Sequence, residues 1–138
     1  MNRIVRLLGV LTMLSTTTGV AQQGKRCLLD VDHVGREGFR SEPIPGNTNF
    51  FAGGDVRLSC RGQNVHLGGD SLASLGGSVM ILTTDAYYRD ATIALTGDTL
   101  TYFKNGEQLQ ARGHVVARNL KSGSTLTGPY VDYFRAVK

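Results

Sequence analysis

The chain has no tryptophan, only three prolines, and aromatic side chains at 7% of its 138 residues, which leaves few bulky anchors for a core. Charge is sparse too, at 19%, while hydrophobic residues reach 41%. That balance indicates neither a disordered chain nor a membrane-embedded body. No stretch after residue 21 repeats apolar side chains at three-and-four spacing over ten positions, which excludes a helical fold. Cysteine is limited to Cys27 and Cys60. What is abundant is glycine, with eighteen residues, the mark of a chain that bends often. The length suits one domain with a real core and is too short for two.

The first 21 residues read as a secretory signal peptide. Arg3 and Arg6 make a positive start, and Leu7 to Leu14 form an apolar run too short to span a bilayer. A Ser-Thr stretch then leads to the small residues Gly19-Val20-Ala21. A buried N-terminal helix is the alternative, but Gln22-Gln23-Gly24 would cut it off. Removing Arg3 and Arg6 takes away two cations and no acid, so the net charge falls from +4 to +2. So small a charge does not predict nucleic-acid binding.

Export makes the two cysteines a candidate disulfide, Cys27 to Cys60. Closing that loop stabilises by about 3–4 kcal/mol on the chain-entropy model. Cys60 also alternates with Val56 and Leu58, so it reads equally as a buried apolar residue; both hold together.

Period two runs through the rest of the chain. Val56, Leu58 and Cys60 share a phase, as do Val65 with Leu67, Ile93 with Leu95, and Leu100 with Tyr102. Leu109 with Ala111, Val115 with Ala117, and Val131 with Tyr133 complete the set. The sets are bounded by turn signals at Gly53-Gly54, Gly68-Gly69, Gly76-Gly77, Gly97-Asp98, Asn105-Gly106, Gly113 and Ser122-Gly123. Asn105-Gly106 predicts a two-residue type I′ hairpin, with a longer loop as the alternative. Residues 22–49, with Pro43 and Pro45, read as an N-terminal extension or covering loop tied back by Cys27. Within it, Leu28 to Asp32 forms one candidate strand.

Self-comparison exposes a repeat. Leu95 to Lys104 (Leu-Thr-Gly-Asp-Thr-Leu-Thr-Tyr-Phe-Lys) recurs as Leu126 to Arg135 (Leu-Thr-Gly-Pro-Tyr-Val-Asp-Tyr-Phe-Arg), 31 residues on. An earlier copy, Leu67 to Leu72, precedes the first by 28. A second theme, Ala52-Gly-Gly-Asp-Val56, matches Ala111-Arg-Gly-His-Val115 at 59, the sum of those two shifts. Each unit is a strand, a glycine-allowed bend and another strand, and such units bury their apolar faces only by stacking.

The alternation of Ala-x-Gly-x-Val with Gly-Asp-x-Leu/Ala-x-Tyr resembles the OstA-like family of lipopolysaccharide-transport proteins. The matching pieces are Ala52 to Val56, Gly69 to Leu72, Asp85 to Tyr88, Gly97 to Tyr102, Ala111 to Val115 and Gly128 to Tyr133. They cover residues 50–134, and the domain expected is 50–138. Two departures stand out: Ser74 where other copies carry tyrosine, and the extension with its cysteine. The resemblance implies an all-β fold, an open β-jellyroll in which two twisted antiparallel sheets face each other. It also implies a periplasmic location near the outer membrane. Acyl chains of lipopolysaccharide or a related lipid would lie between the sheets, and edge strands would pair with other OstA-like or envelope subunits, or with further copies of the chain. The groove would be lined by Val56, Leu58, Val65, Leu67, Ile93, Leu95, Leu100, Tyr102, Leu109, Val115, Leu126, Val131 and Tyr133. The alternative is a closed sandwich, an interaction module that assembles through its edges without lipid.

Chemistry-bearing clusters are few, and no cofactor is implied. Asp30 and Asp32 share a strand face while His33 points the other way, so a solvated strand end is the expectation and a metal or hydrolase site the minor alternative. His66 and His114 take outward phases. No Ser–His–Asp order and no phosphate loop is recognisable, and no enzyme is expected. Lys104, Arg112, Arg118, Lys121 and Arg135 read as solubilising charge, or as cations near a groove mouth.

Overall fold

A computed structural model describes residues 27–135, so the signal segment 1–21 and residues 22–26 lie outside the described residues. Eight antiparallel strands form the all-β fold: β1 (Leu29–His33), β2 (Arg36–Ile44), β3 (Asn47–Cys60), β4 (His66–Leu75), β5 (Val79–Arg89), β6 (Ile93–Phe103), β7 (Gln108–Asn119) and β8 (Thr125–Phe134). They make a single open sheet in the order β1-β3-β4-β5-β6-β7-β8, with β2 also paired to β3. The strand expected at Leu28 to Asp32 is β1, while the covering loop expected over the rest of residues 22–49 is corrected from Arg36 onward. β1 pairs with the end of β3 and β2 with its start, so the two act as one edge strand broken at Val34-Gly35. Pro43 is tolerated there because it falls in a register gap of an edge strand, where no ladder donor is needed.

What turns one sheet into a sandwich is a line of bulges across its middle. Gly54 and Asp55 of β3 face the single Asp70 of β4; Thr84 and Asp85 of β5 face Asp98 of β6; Gly113 and His114 of β7 face Pro129 of β8. All six residues of the bulged strands have positive φ, from 47° at His114 to 79° at Gly54. An extra residue in this conformation bends the strand sharply, and the sheet folds over along the line. One half carries Val56 to Cys60, Leu67, Tyr88, Leu95 and Val115; the other carries Ala52, Leu72, Leu82, Leu100 and Leu109. Their inner faces form one buried cluster. Each fully buried Leu contributes about 1.5–3 kcal/mol.

The repeat now has a physical basis. Ala-x-Gly-x-Val marks the bulged strands β3 and β7, and Gly-Asp-x-Leu marks β4 and β6, which oppose the bulges. Two expectations are corrected. Gly53-Gly54, Gly68-Gly69, Gly97-Asp98 and Gly113 are not turns between strands but lie inside them. Asp85 to Tyr88, grouped with the Gly-Asp copies, belongs to a third bulged strand in which Thr84-Asp85 replaces the glycine. The two-residue hairpin at Asn105-Gly106 is also corrected. Phe103 pairs with Gln108, so four residues form the loop, and the positive φ falls on Glu107 at 49°.

The disulfide joins Cys27 to Cys60, with Cα atoms 5.0 Å apart. It fastens the chain ahead of β1 to the end of β3, in the same half of the sandwich. Both cysteines are buried, so the covalent and the packing readings are both satisfied.

Candidate functional site

The halves seal against each other along most of their area and part beside β8. β8 is the last strand of the sheet and pairs only with β7 among the described residues. The sandwich therefore opens on that side into an apolar recess of about 320 Å³. Ile93, Ala117 and Leu126 wall it from one half, and Val131 and Tyr133 from the other. Leu126 is 63% exposed. At the rim, Asp132 accepts a 3.3 Å bond from Arg112, whose guanidinium also lies 5.0 Å over the Tyr130 ring. Arg112 is thus committed to the rim's own side chains. At the back, the Tyr133 hydroxyl donates to Asp90 at 2.9 Å. Burial and that carboxylate push the Tyr133 hydroxyl up to about 12.

The thirteen groove candidates divide by place. Val56, Leu58, Val65, Leu67, Leu95, Leu100, Tyr102, Leu109 and Val115 are core, none more than 4% exposed. The space between Leu67, Tyr88 and Tyr102 has no room for a water molecule. Ile93, Leu126, Val131 and Tyr133 are the four that the fold brings together at the mouth.

Sequence reasoning missed the polar seam at the strand tips. Glu107 is 3% exposed, the one charged residue in the core of the described chain. It accepts bonds from the Tyr102 hydroxyl at 2.7 Å, Arg135 at 2.8 Å and the Cys27 amide at 3.3 Å. Arg135 also donates to Gln63 at 2.8 Å. Tyr102, Glu107 and Arg135 belong to one half and Cys27 and Gln63 to the other, so the bonds to Cys27 and Gln63 are the ones that cross. Beside them Tyr88 and Tyr133, again from opposite halves, both donate to Asp90 at 2.9 Å. Asp90 is otherwise held by the amides of Thr92 and Ile93. Burial raises the Asp90 carboxyl, but those four donors together hold it below the usual carboxylate range. Burial would lower the Arg135 guanidinium, yet the surrounding Tyr88, Glu107 and Tyr102 oxygens raise it. Arg135, expected as solubilising charge or as a cation near a groove mouth, is thus corrected to a seam residue. A glutamate in a turn beside Asn105-Gly106 carries no signal of burial, which is why it was overlooked.

The remaining candidates sit apart. Asp30 pairs with Arg61, Asp32 accepts from Ser59, and His33 faces the Asp55 carbonyl at 2.7 Å. His66, Lys104, Arg118 and Lys121 are exposed. The bulges set Asp55, Asp70, Asp85 and Asp98 in a row on the outer surface. Arg57 and Arg36 pair with the first two, and His114 bonds Asp98 at 2.7 Å, which raises the imidazole. Among the described residues no three His, Cys, Asp or Glu side chains are placed to hold a metal ion.

The fold and the site together define an all-β, disulfide-bonded folded sheet with one apolar side opening. No protein-family model matches the chain, and no curated protein matches it either.

Proposed function

We propose that the chain is an exported carrier or bridge module of the OstA-like kind, handling lipopolysaccharide or a related lipid in the periplasm and holding acyl chain at its β8 side. The observation that carries this reading is the mouth. Two halves that meet tightly elsewhere diverge there and leave apolar walls of Ile93, Ala117, Leu126, Val131 and Tyr133 facing solvent. Burying acyl chain is worth about 0.8 kcal/mol per CH₂, so such a surface needs no polar chemistry, no cofactor and no catalysis. The free edges of β8 and of β1 with β2 suit strand addition by other envelope subunits or by further copies. The signal segment and the disulfide fit an oxidising, exported setting. The test is mass spectrometry of lipid that co-purifies from envelope fractions, followed by reloading of stripped protein with lipid A. Co-purified acyl lipid and reloading support the proposal; folded protein that stays empty and takes up none removes it.

A second reading is an interaction module that assembles through its edges without lipid. It is favoured by the filled middle and by the exposed Phe39 and Ile44 on β2 and Tyr130 and Phe134 on β8. It expects oligomers that grow with concentration, with the Leu126→Ser mouth variant assembling as well as the parent.

A further inference from the structure

Two lines of opposite character run across the sandwich. Along the bulges every strand pairing from β3 to β8 skips register, and the backbone of β3, β5 and β7 turns through consecutive positive-φ residues. Along the strand tips the halves meet through side chains. Every strand pairing lies within the continuous sheet, and among the described residues no backbone–backbone bond crosses from one half to the other at the tips. The Cys27–Cys60 bond stays within one half as well. Separating the tips therefore breaks no ladder and no covalent link.

We propose that the bulge line is a hinge and the tips a latch: the halves part at the tips to expose the inner faces to an acyl chain, and the Glu107–Arg135 and Asp90 clusters hold them closed when no chain is present. What enters rests on the acyl-chain reading above; that the tips part does not.

The chemistry of the seam is what separates a latch from ordinary core. A buried ion pair is no more stabilising than well-packed apolar side chains of the same volume, because both charges give up water. Its distinctive property appears on separation, when Glu107 and Arg135 regain that water while an apolar seam would only expose more hydrophobic surface. The seam is well satisfied when shut, since among the described residues no buried side-chain nitrogen or oxygen lacks a partner. Tyr88 and Tyr133 repeat the device, each keeping a hydroxyl on Asp90 and its ring on the apolar side. Opening uncovers the inner leucines, which is unfavourable in water and is offset when an acyl chain covers them. A ligand that binds only the open form then shifts the population toward it.

The experiment uses the mature chain with its native disulfide and an Ala111→Cys probe on the inner face, where the wild-type side chain is fully buried. Maleimide labelling of that thiol reads opening with no ligand present. Glu107→Gln leaves the Cys27 amide, which bonds Glu107 across the halves, with an uncharged and weaker acceptor, so labelling should accelerate severalfold beyond any change in global unfolding measured in urea. Tyr133→Phe releases the Asp90 cluster alone and serves if Glu107→Gln does not fold; it should accelerate labelling severalfold. Gln63→Cys with Arg135→Cys, joined by a short bis-maleimide, should reduce opening and halt uptake of a fluorescent fatty acid into the interior. Labelling that follows global unfolding alone in both variants overturns the latch. So does cross-linked protein that takes up the fatty acid at the parent's rate. Accelerated labelling with no fatty-acid uptake in any form upholds the latch and sinks the acyl-chain reading.

Discussion

β6 and β8 carry the same ten-residue repeat and meet opposite fates. Leu95 and Leu126 hold one repeat position, yet the first is 0% exposed and the second 63%. Leu100 is core where Val131 is half-buried, and Tyr102 is core where Tyr133 is half-buried. Lys104 lies exposed in a turn, while Arg135 enters the seam. Local sequence does not separate the two copies. Neighbours do: among the described residues β6 has β5 and β7 on its flanks, and β8 has β7 alone. A repeat therefore sets which face a side chain takes, and position in the sheet sets whether that face is covered. An edge copy becomes a binding surface without changing its pattern.

Matched substitutions at equivalent positions can break this comparison. The largest difference is expected between Leu95→Ala and Leu126→Ala. The first should cost about 2–5 kcal/mol by urea unfolding, since it leaves a cavity among fixed neighbours. The second should stay within about 0.5 kcal/mol while lowering acyl-chain uptake, because its side chain already faces solvent. Equal costs would mean that the β8 side is covered in solution.

The tyrosines come next. Tyr102→Phe takes a donor from buried Glu107 and should cost about 1–3 kcal/mol, whereas Tyr133→Phe leaves Asp90 three other donors and should cost about 1 kcal/mol. Alkaline titration sharpens the contrast. The Tyr133 hydroxyl is raised to about 12, so the folded state favours its neutral form. That stabilisation is complete below the ordinary tyrosine value near 10 and is lost as the pH rises toward 12. The urea midpoint of the parent should fall over that interval, and less steeply in Tyr133→Phe. Asp90 works at the other extreme. Its lowered carboxyl contributes fully above the ordinary aspartate range and loses that contribution as the pH drops through the depressed value.

How far the fold was legible follows from which residues speak for themselves. Period two at Val56-Leu58-Cys60 and at Leu100-Tyr102 reads directly as strand, because one face is buried and the other is not. Glycine at 54 and 113 betrays the bulges, since positive φ favours a residue without a side chain. The copy on β5 escaped because Thr84 and Asp85 hold the same backbone without glycine. β1 was legible to within one residue, at Leu28 to Asp32, but β2 escaped because an edge strand lacks a covered face to impose alternation, and Pro43 reads as a breaker. At the candidate site, phase and repeat did not divide the nine residues that fill the core from the four at the mouth. Glu107 and Arg135 were illegible for another reason: a charged pair is buried by partners remote in sequence, here Cys27 and Gln63.

The smallest expected effect is also the most direct reading of neighbours. Gly97 and Gly128 share a repeat position, and neither has a positive φ. A Cβ at Gly97 would sit 3.3 Å from the Arg112 carbonyl oxygen and 3.4 Å from that of Gly113, both in the bulge of β7. Backbone held on two sides yields little, so Gly97→Ala should destabilise by about 1 kcal/mol, the low end of overpacking. At Gly128 the nearest atom is the Tyr130 carbonyl oxygen at 4.0 Å, an ordinary contact. There alanine only narrows the unfolded chain, and Gly128→Ala should stabilise by about 0.4–1 kcal/mol. Opposite signs at one repeat position, measured by urea unfolding, would show that the bulge of β7 presses on β6 and leaves β8 free. A loss at Gly128 equal to that at Gly97 would mean that another strand lies against β8 in solution, and the mouth would then be an interface.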